Sequence, residues 1–201
     1  MRTNRLEAFS DGVLAIIITI MVLELDVPEG HTLHDLWDAT GVSFLTYVLS
    51  FVYIGIYWNN HHHMLQAASR ISGAVLWANL ALLFWLSLFS FATAWMGENH
   101  FAATPTALYG VVLLMAAVSY TVLQRTIIAA EGPSSFLRTA VGADWKGRTP
   151  PVLYLIAIGA AFVAPWIAQA IYVVVALMWL VPDRRIERAL ATKHQHADSS
   201  R

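Results

Sequence analysis

Residues 5–25, RLEAFSDGVLAIIITIMVLEL, decide how this chain is read. The stretch opens on a compact polar cluster, Arg5, Glu7, Ser10 and Asp11, and then runs through twelve uncharged residues from Gly12 to Leu23. Glu24 and Asp26 close it, with Pro28 just beyond. A lipid-facing anchor needs about 20 clean apolar residues. An ionisable group such as Asp11 is tolerated inside a membrane where it faces protein or water. The stretch is therefore predicted to be a membrane helix that sits among other helices.

Helical spacing resolves its faces. Ile16, Ile20, Leu23 and Val27 recur at i, i+4, i+7 and i+11, one stripe at about 100° per residue, with Thr19 on its edge. Asp11 falls about 140° from Ile16 by the same arithmetic, so the acid and the stripe meet different neighbours. On spacing alone the stripe is also what ordinary helix packing produces.

Composition sets the class. The 201 residues are 58% hydrophobic and 12% charged, with a mean hydropathy of +0.58. A soluble domain carries about 25% charged residues, so this chain reads as a membrane protein. The absence of cysteine excludes disulfides and thiolate chemistry. Arg2 and Arg5 ahead of a short apolar run suggest a signal peptide. However, Glu24-Leu25-Asp26 stands where a small-residue cleavage site would be, and the segment is read as a retained first span.

Six hydrophobic segments follow, at about 6–27, 41–66, 71–96, 105–130, 149–164 and 166–182. The uncharged run between Arg148 and Asp183 is long for one span and short for two. Ala164-Pro165-Trp166 is its natural break, because proline disrupts a helix interior and restricts the residue before it. With the N-terminus inside, all twelve Lys and Arg fall on inner segments, and the outer loops 24–40 and 97–104 hold none. A single span over 149–182 would break that asymmetry. The expected fold class is thus all-α, a polytopic membrane protein of six transmembrane helices with both termini cytoplasmic. Residues 1–182 form its membrane domain and 183–201 a cytoplasmic tail.

The acids sort differently. Glu24, Asp26, Glu29, Asp35, Asp38 and Glu98 give the outer side −6, against +5 inside. An outer face of that sign attracts cations. The long inner loop, 131–148, places Phe136, Leu137, Val141 and Trp145 at the membrane surface. The tail begins as a surface helix, DRRIERAL.

The second segment ends in YWNNHHHMLQ, Tyr57 to Gln66. Three consecutive histidines point about 100° apart on a helix and cannot chelate one metal as an i, i+4 pair does. Topology supplies another partner. The first span starts inside and the second returns there, so His61 is expected to meet Asp11 or Ser10 and offset the cost of burying the carboxylate. Such a network fixes the first helix by its inner end; a proton relay through the same groups is the alternative.

Arg5-Leu6-Glu7-Ala8-Phe9-Ser10-Asp11-Gly12-Val13, then Ala15-Ile16 and Thr19, with Trp58-x-x-His61-His62 on the next span, resembles the bacterial branch of the endolysosomal potassium channel family (transmembrane protein 175). The resemblance covers the whole chain as one six-helix repeat. It implies a homotetramer with four first helices lining a pore, in the plasma membrane of a prokaryote. It implies that Ile16 is the narrow hydrophobic constriction, with Ile20 and Leu23 next along it, and that Thr19 supplies a pore-side hydroxyl tied to cation preference. The motif residues Arg5, Phe9, Ser10, Asp11, Trp58 and His61 become the candidate polar lock. Neither the family nor this chain has a TVGYG filter; the nearest string is Leu108-Tyr109-Gly110.

The leading expectation is a potassium-permeable channel with potassium ions, lipid and its own copies as partners. No cofactor, metal or nucleic acid is implied. A proton-coupled or proton-conducting transporter using Asp11 and His61 is the runner-up, against which stands the lack of an inverted repeat. An intramembrane enzyme has no visible nucleophile–base pair to support it.

Overall fold

Every described element is helical, and local sequence signals explain most of the ends. A computed structural model describes residues 3–68, 70–132, 135, 137 and 145–180. The first helix, α1, spans Thr3–Leu23. The second, α2, spans Leu33–Ala67 and starts on a capping box. The Thr32 hydroxyl accepts from the Asp35 amide at 3.2 Å, and Asp35 Oδ2 accepts from the Thr32 amide at 3.0 Å. At 35 residues α2 is longer than the segment drawn from 41 onward. His34, Asp35 and Asp38 interrupt an apolar run but not a helix, and about 52 Å of helix outruns a hydrocarbon core of about 30 Å.

Ser72 caps the third helix, α3, Gly73–Glu98, by accepting from the Val75 amide at 3.4 Å. The α3–α4 turn is tight, with His100 and Phe101 both in the left-handed region at φ 48° and 60°. The fourth helix, α4, runs Ala103–Glu131 and ends on Gly132 at φ 79°. Glycine takes that conformation without a Cβ clash.

The last two helices form a hairpin. α5 covers Trp145–Ala161 and α6 covers Pro165–Leu180. α5 begins before residue 149 because Lys146 and Arg148 count against hydropathy and not against a helix. Pro165 opens α6 at the first helical position, where its missing N–H needs no partner. The Ala164 amide closes the preceding turn on the Ala160 carbonyl at 2.8 Å. By length and composition α1 to α4 can each cross a membrane, and α5 and α6 are shorter apolar helices. The expected tail helix, and all but a few residues of the loop before α5, lie outside the described residues. Leu137, expected at the membrane surface, is fully buried.

α3 and α4 pack most extensively, with α5 against α4, α6 against α5, and α2 against α3. The core where they meet is aromatic and hydroxyl-rich. Tyr53, Phe89, Tyr109, Tyr154 and Tyr172 are buried together. With no water inside a bilayer each hydroxyl needs an internal partner. Ser50 meets Thr93 at 2.6 Å and Tyr109 at 2.9 Å. Tyr53 donates to the Tyr172 carbonyl at 2.6 Å, and Tyr172 donates to that of Thr106 at 3.0 Å. Tyr109-Gly110 is therefore part of the α4 core. Gly110 is required there, because a Cβ would stand 2.2 Å from the Tyr172 hydroxyl.

Candidate functional site

α1 lies at the rim of this bundle, packed chiefly on α3 and α2. Leu6, Ser10, Leu14, Ile17 and Met21 form the buried stripe that does the packing. The stripe picked out by periodicity is a different one. Ile16, Ile20 and Leu23 are 58%, 42% and 79% exposed, and Gly12, one turn before Ile16, has open space where a Cβ would stand. Ordinary packing within the chain therefore does not explain that stripe. Val27 lies beyond the end of α1. Thr19 is exposed beside the stripe, and its hydroxyl donates to the Ile16 carbonyl at 2.9 Å. With its proton committed to the backbone, the Thr19 oxygen keeps lone pairs to offer a cation.

The opposite side of α1, in its N-terminal half, carries a polar anchor. Trp58 Nε1 on α2 donates to Asp11 Oδ1 at 3.0 Å. His62 Nδ1 lies 2.7 Å from Glu7 Oε1, and its ring stacks on Trp58 with centroids 6.2 Å apart. Gln66 Nε2 meets the other His62 nitrogen at 2.9 Å. His61 bonds neither Asp11 nor Ser10 directly, contrary to the topological expectation. Its Nε2 is 2.7 Å from Asn79 Oδ1 on α3, and Asn79 Nδ2 donates to Ser10 Oγ at 3.0 Å. The reason is register: α3 comes between them and fills the space with an amide. Trp58 is exposed and His61 buried, so the two reach α1 by separate routes.

Arg5 and Phe9 do not join this network. Both lie on exposed positions of α1, Phe9 at 51%, and no hydrogen bond or ion pair engages Arg5 among the described residues. The residue missed from sequence is Asn79. Its signal was available: it is an amide inside the apolar run VLWANLALLF, and a polar group at membrane depth needs a partner. Among the described residues no group of three or more His, Cys, Asp or Glu is placed to hold a metal ion.

The profile of the family described as endosomal/lysosomal potassium channel TMEM175 matches residues 5–89. A potassium channel of Chryseobacterium sp. (strain P1-3) is 52% identical over 190 residues, covering 94% of this chain and 98% of that one. The chain belongs to the TMEM175 family. The crystal structure of a lysosomal potassium-selective channel TMEM175 homolog from Chamaesiphon minutus superposes with a TM-score of 0.75 at 30% identity, covering 88% of this chain and 95% of that one. The endosomal/lysosomal proton channel TMEM175 of Homo sapiens is 32% identical over 116 residues, 51% of this chain and 22% of that protein. The match to the Chamaesiphon structure extends the likeness well past residues 5–89, which the profile covers, to 88% of the chain.

Proposed function

We propose that this TMEM175-family chain forms a potassium-permeable cation channel, not an enzyme, by gathering the α1 helices of four copies round a common axis. The observation that carries the reading is the uncovered stripe of α1. Ile16, Ile20 and Leu23 form an apolar face on a helix whose packing is done by a different face. The names of the full-length bacterial relatives support the choice of ion. In this reading all six helices cross the plasma membrane of a prokaryote with both termini cytoplasmic. Residues 1–182 make the channel domain and 183–201 a cytoplasmic tail.

Ions then pass an apolar ring that stops them by dewetting rather than by charge. Conduction requires the Ile16 ring to widen or wet. Thr19 oxygens stand beside it and replace part of the hydration shell of the ion. The six outer acids raise the cation concentration at one mouth. Asp11, Ser10, Trp58 and His61 act as the lock that sets where α1 stands.

Purified protein in liposomes under imposed K⁺, Na⁺ and H⁺ gradients tests this. K⁺ flux above Na⁺ flux is expected; no protein-dependent cation flux would overturn it. The human relative, named a proton channel, favours proton conduction as a second reading. The H⁺ gradient arm separates the two.

A further inference from the structure

The α5–α6 turn differs in kind from the α3–α4 turn beside it. Gln169, one turn into α6, donates to Met96 Sδ on α3 at 3.2 Å and to Thr106 Oγ1 on α4 at 3.4 Å. Those partners lie in the last turn of α3 and the first turn of α4. The two turns therefore stand at one height. The α3–α4 turn carries Glu98, Asn99 and His100, all exposed. The α5–α6 turn reads AAFVAPWI over residues 160–167, with the Trp166 indole as its one polar side-chain group. Phe162, Val163 and Trp166 are nonetheless 64%, 87% and 72% exposed. Its backbone needs little from water. The amides of Phe162, Val163 and Ala164 donate to the Gly159 and Ala160 carbonyls at 3.3, 3.0 and 2.8 Å, and Pro165 has no amide to satisfy. A turn closed in this way can enter an apolar phase. The exposed apolar surface also continues from the turn at helical spacing, through Ile156 on α5 and through Val173 and Leu177 on α6.

We propose that the α5–α6 turn is a lipid anchor, with Phe162, Val163 and Trp166 seated in the outer leaflet against acyl chains just beneath the headgroups. Clustered apolar side chains on a surface mark a contact, and here their setting identifies it as lipid. The contact continues the apolar faces of both helices, and no charge breaks it between Arg148 and Asp183. Tryptophan suits the boundary, because its ring lies among chains while its N–H reaches the wet ester region. The charged turn at the same height stays in water, so the edge of the bilayer runs between the two turns. The anchor also reaches inward. Tyr53 on α2 donates to the Tyr172 carbonyl on α6 at 2.6 Å, which ties the height of α2 to that of the hairpin. The inference rests on the membrane topology of the proposed channel, which puts both turns on the outer side.

The test uses the full-length protein in vesicles of phosphatidylcholine and phosphatidylglycerol. The chain has no cysteine, so Val163→Cys and Glu98→Cys each offer a single thiol for a nitroxide spin label. Collisions of the label are then measured with oxygen, which concentrates in hydrocarbon, and with a water-soluble nickel chelate. Oxygen should dominate at Val163 and nickel at Glu98, a reversal between two positions at one height. Phe162→Cys should report as Val163→Cys does, and it carries the same test if Val163→Cys fails to assemble. Nickel dominating at Val163 and Phe162 while Glu98 is open to it leaves the topology standing and overturns the anchor. Label shielded from both reagents at Val163 and Phe162 means that a neighbouring copy covers the turn, which overturns it too. Shielding of Glu98 from nickel overturns the topology itself, and this inference with it.

Discussion

Trp58 on α2 holds Asp11 on α1 by an indole N–H bond of 3.0 Å, across 47 positions of sequence. The acid is thereby tied to the neighbouring helix while Ile16, just over one turn on, stays uncovered. The N-terminal half of α1 and the C-terminal turns of α2 are thus pinned together, on the side of α1 away from the stripe.

Trp58→Phe keeps the ring and removes the donor. A hydrogen bond to a carboxylate at this half-open position is worth about 1 kcal/mol, or roughly 3 °C in a chain of this size. Thermal unfolding of the purified protein should show a fall of that order. A melting temperature equal to wild type would mean that the bond does not anchor α1.

Asn79→Ala removes the amide that His61 and Ser10 share. It leaves a buried imidazole nitrogen without its partner, at a cost of about 1–3 kcal/mol. Ser10→Ala combined with Asn79→Ala should cost clearly less than the two single losses added, because both act on one chain of bonds. Strict additivity in thermal unfolding would show that the chain does not act as a unit.

Gly110→Ala places a methyl against the Tyr172 hydroxyl, where the gap is 2.2 Å. Overpacking of this kind costs about 1–3 kcal/mol. Tyr172→Phe in the same protein removes the obstructing oxygen and should restore part of the loss. If the double variant is less stable than Gly110→Ala alone, the lost bond from Tyr172 to the Thr106 carbonyl outweighs the clash.

Much of this was legible in the sequence, for physical reasons that also mark where legibility ends. Hydropathy finds α1 and α3 to within a few residues because lipid and core make the same demand on them. It places the start of α2 late, since a capped helix can run past the membrane on residues that lipid would reject. Periodicity singled out Ile16, Ile20 and Leu23, but could not say whether protein or open space lay opposite them. The inner-end lock was read as a two-helix contact because α1 and α2 are consecutive in the chain. Asn79 breaks that reading: packing brings α3 between them, and no rule of spacing along one helix reveals a third.

Thr19→Val keeps the shape beside the proposed ring and removes the hydroxyl oxygen proposed to meet the ion. Selectivity for K⁺ over Na⁺ should fall by more than total conductance does. Reversal potentials under bi-ionic conditions measure this directly, and a value identical to wild type would remove Thr19 from the selectivity of the pore.

Planar-bilayer recording of wild type beside Ile16→Asn is the most direct test of the pore proposed on α1. Wild type should give unitary, potassium-carried steps. Ile16→Asn should raise basal open probability or conductance, because an amide ring no longer favours dewetting. Folded, assembled Ile16→Asn protein with wild-type current would contradict the placement of the constriction on α1.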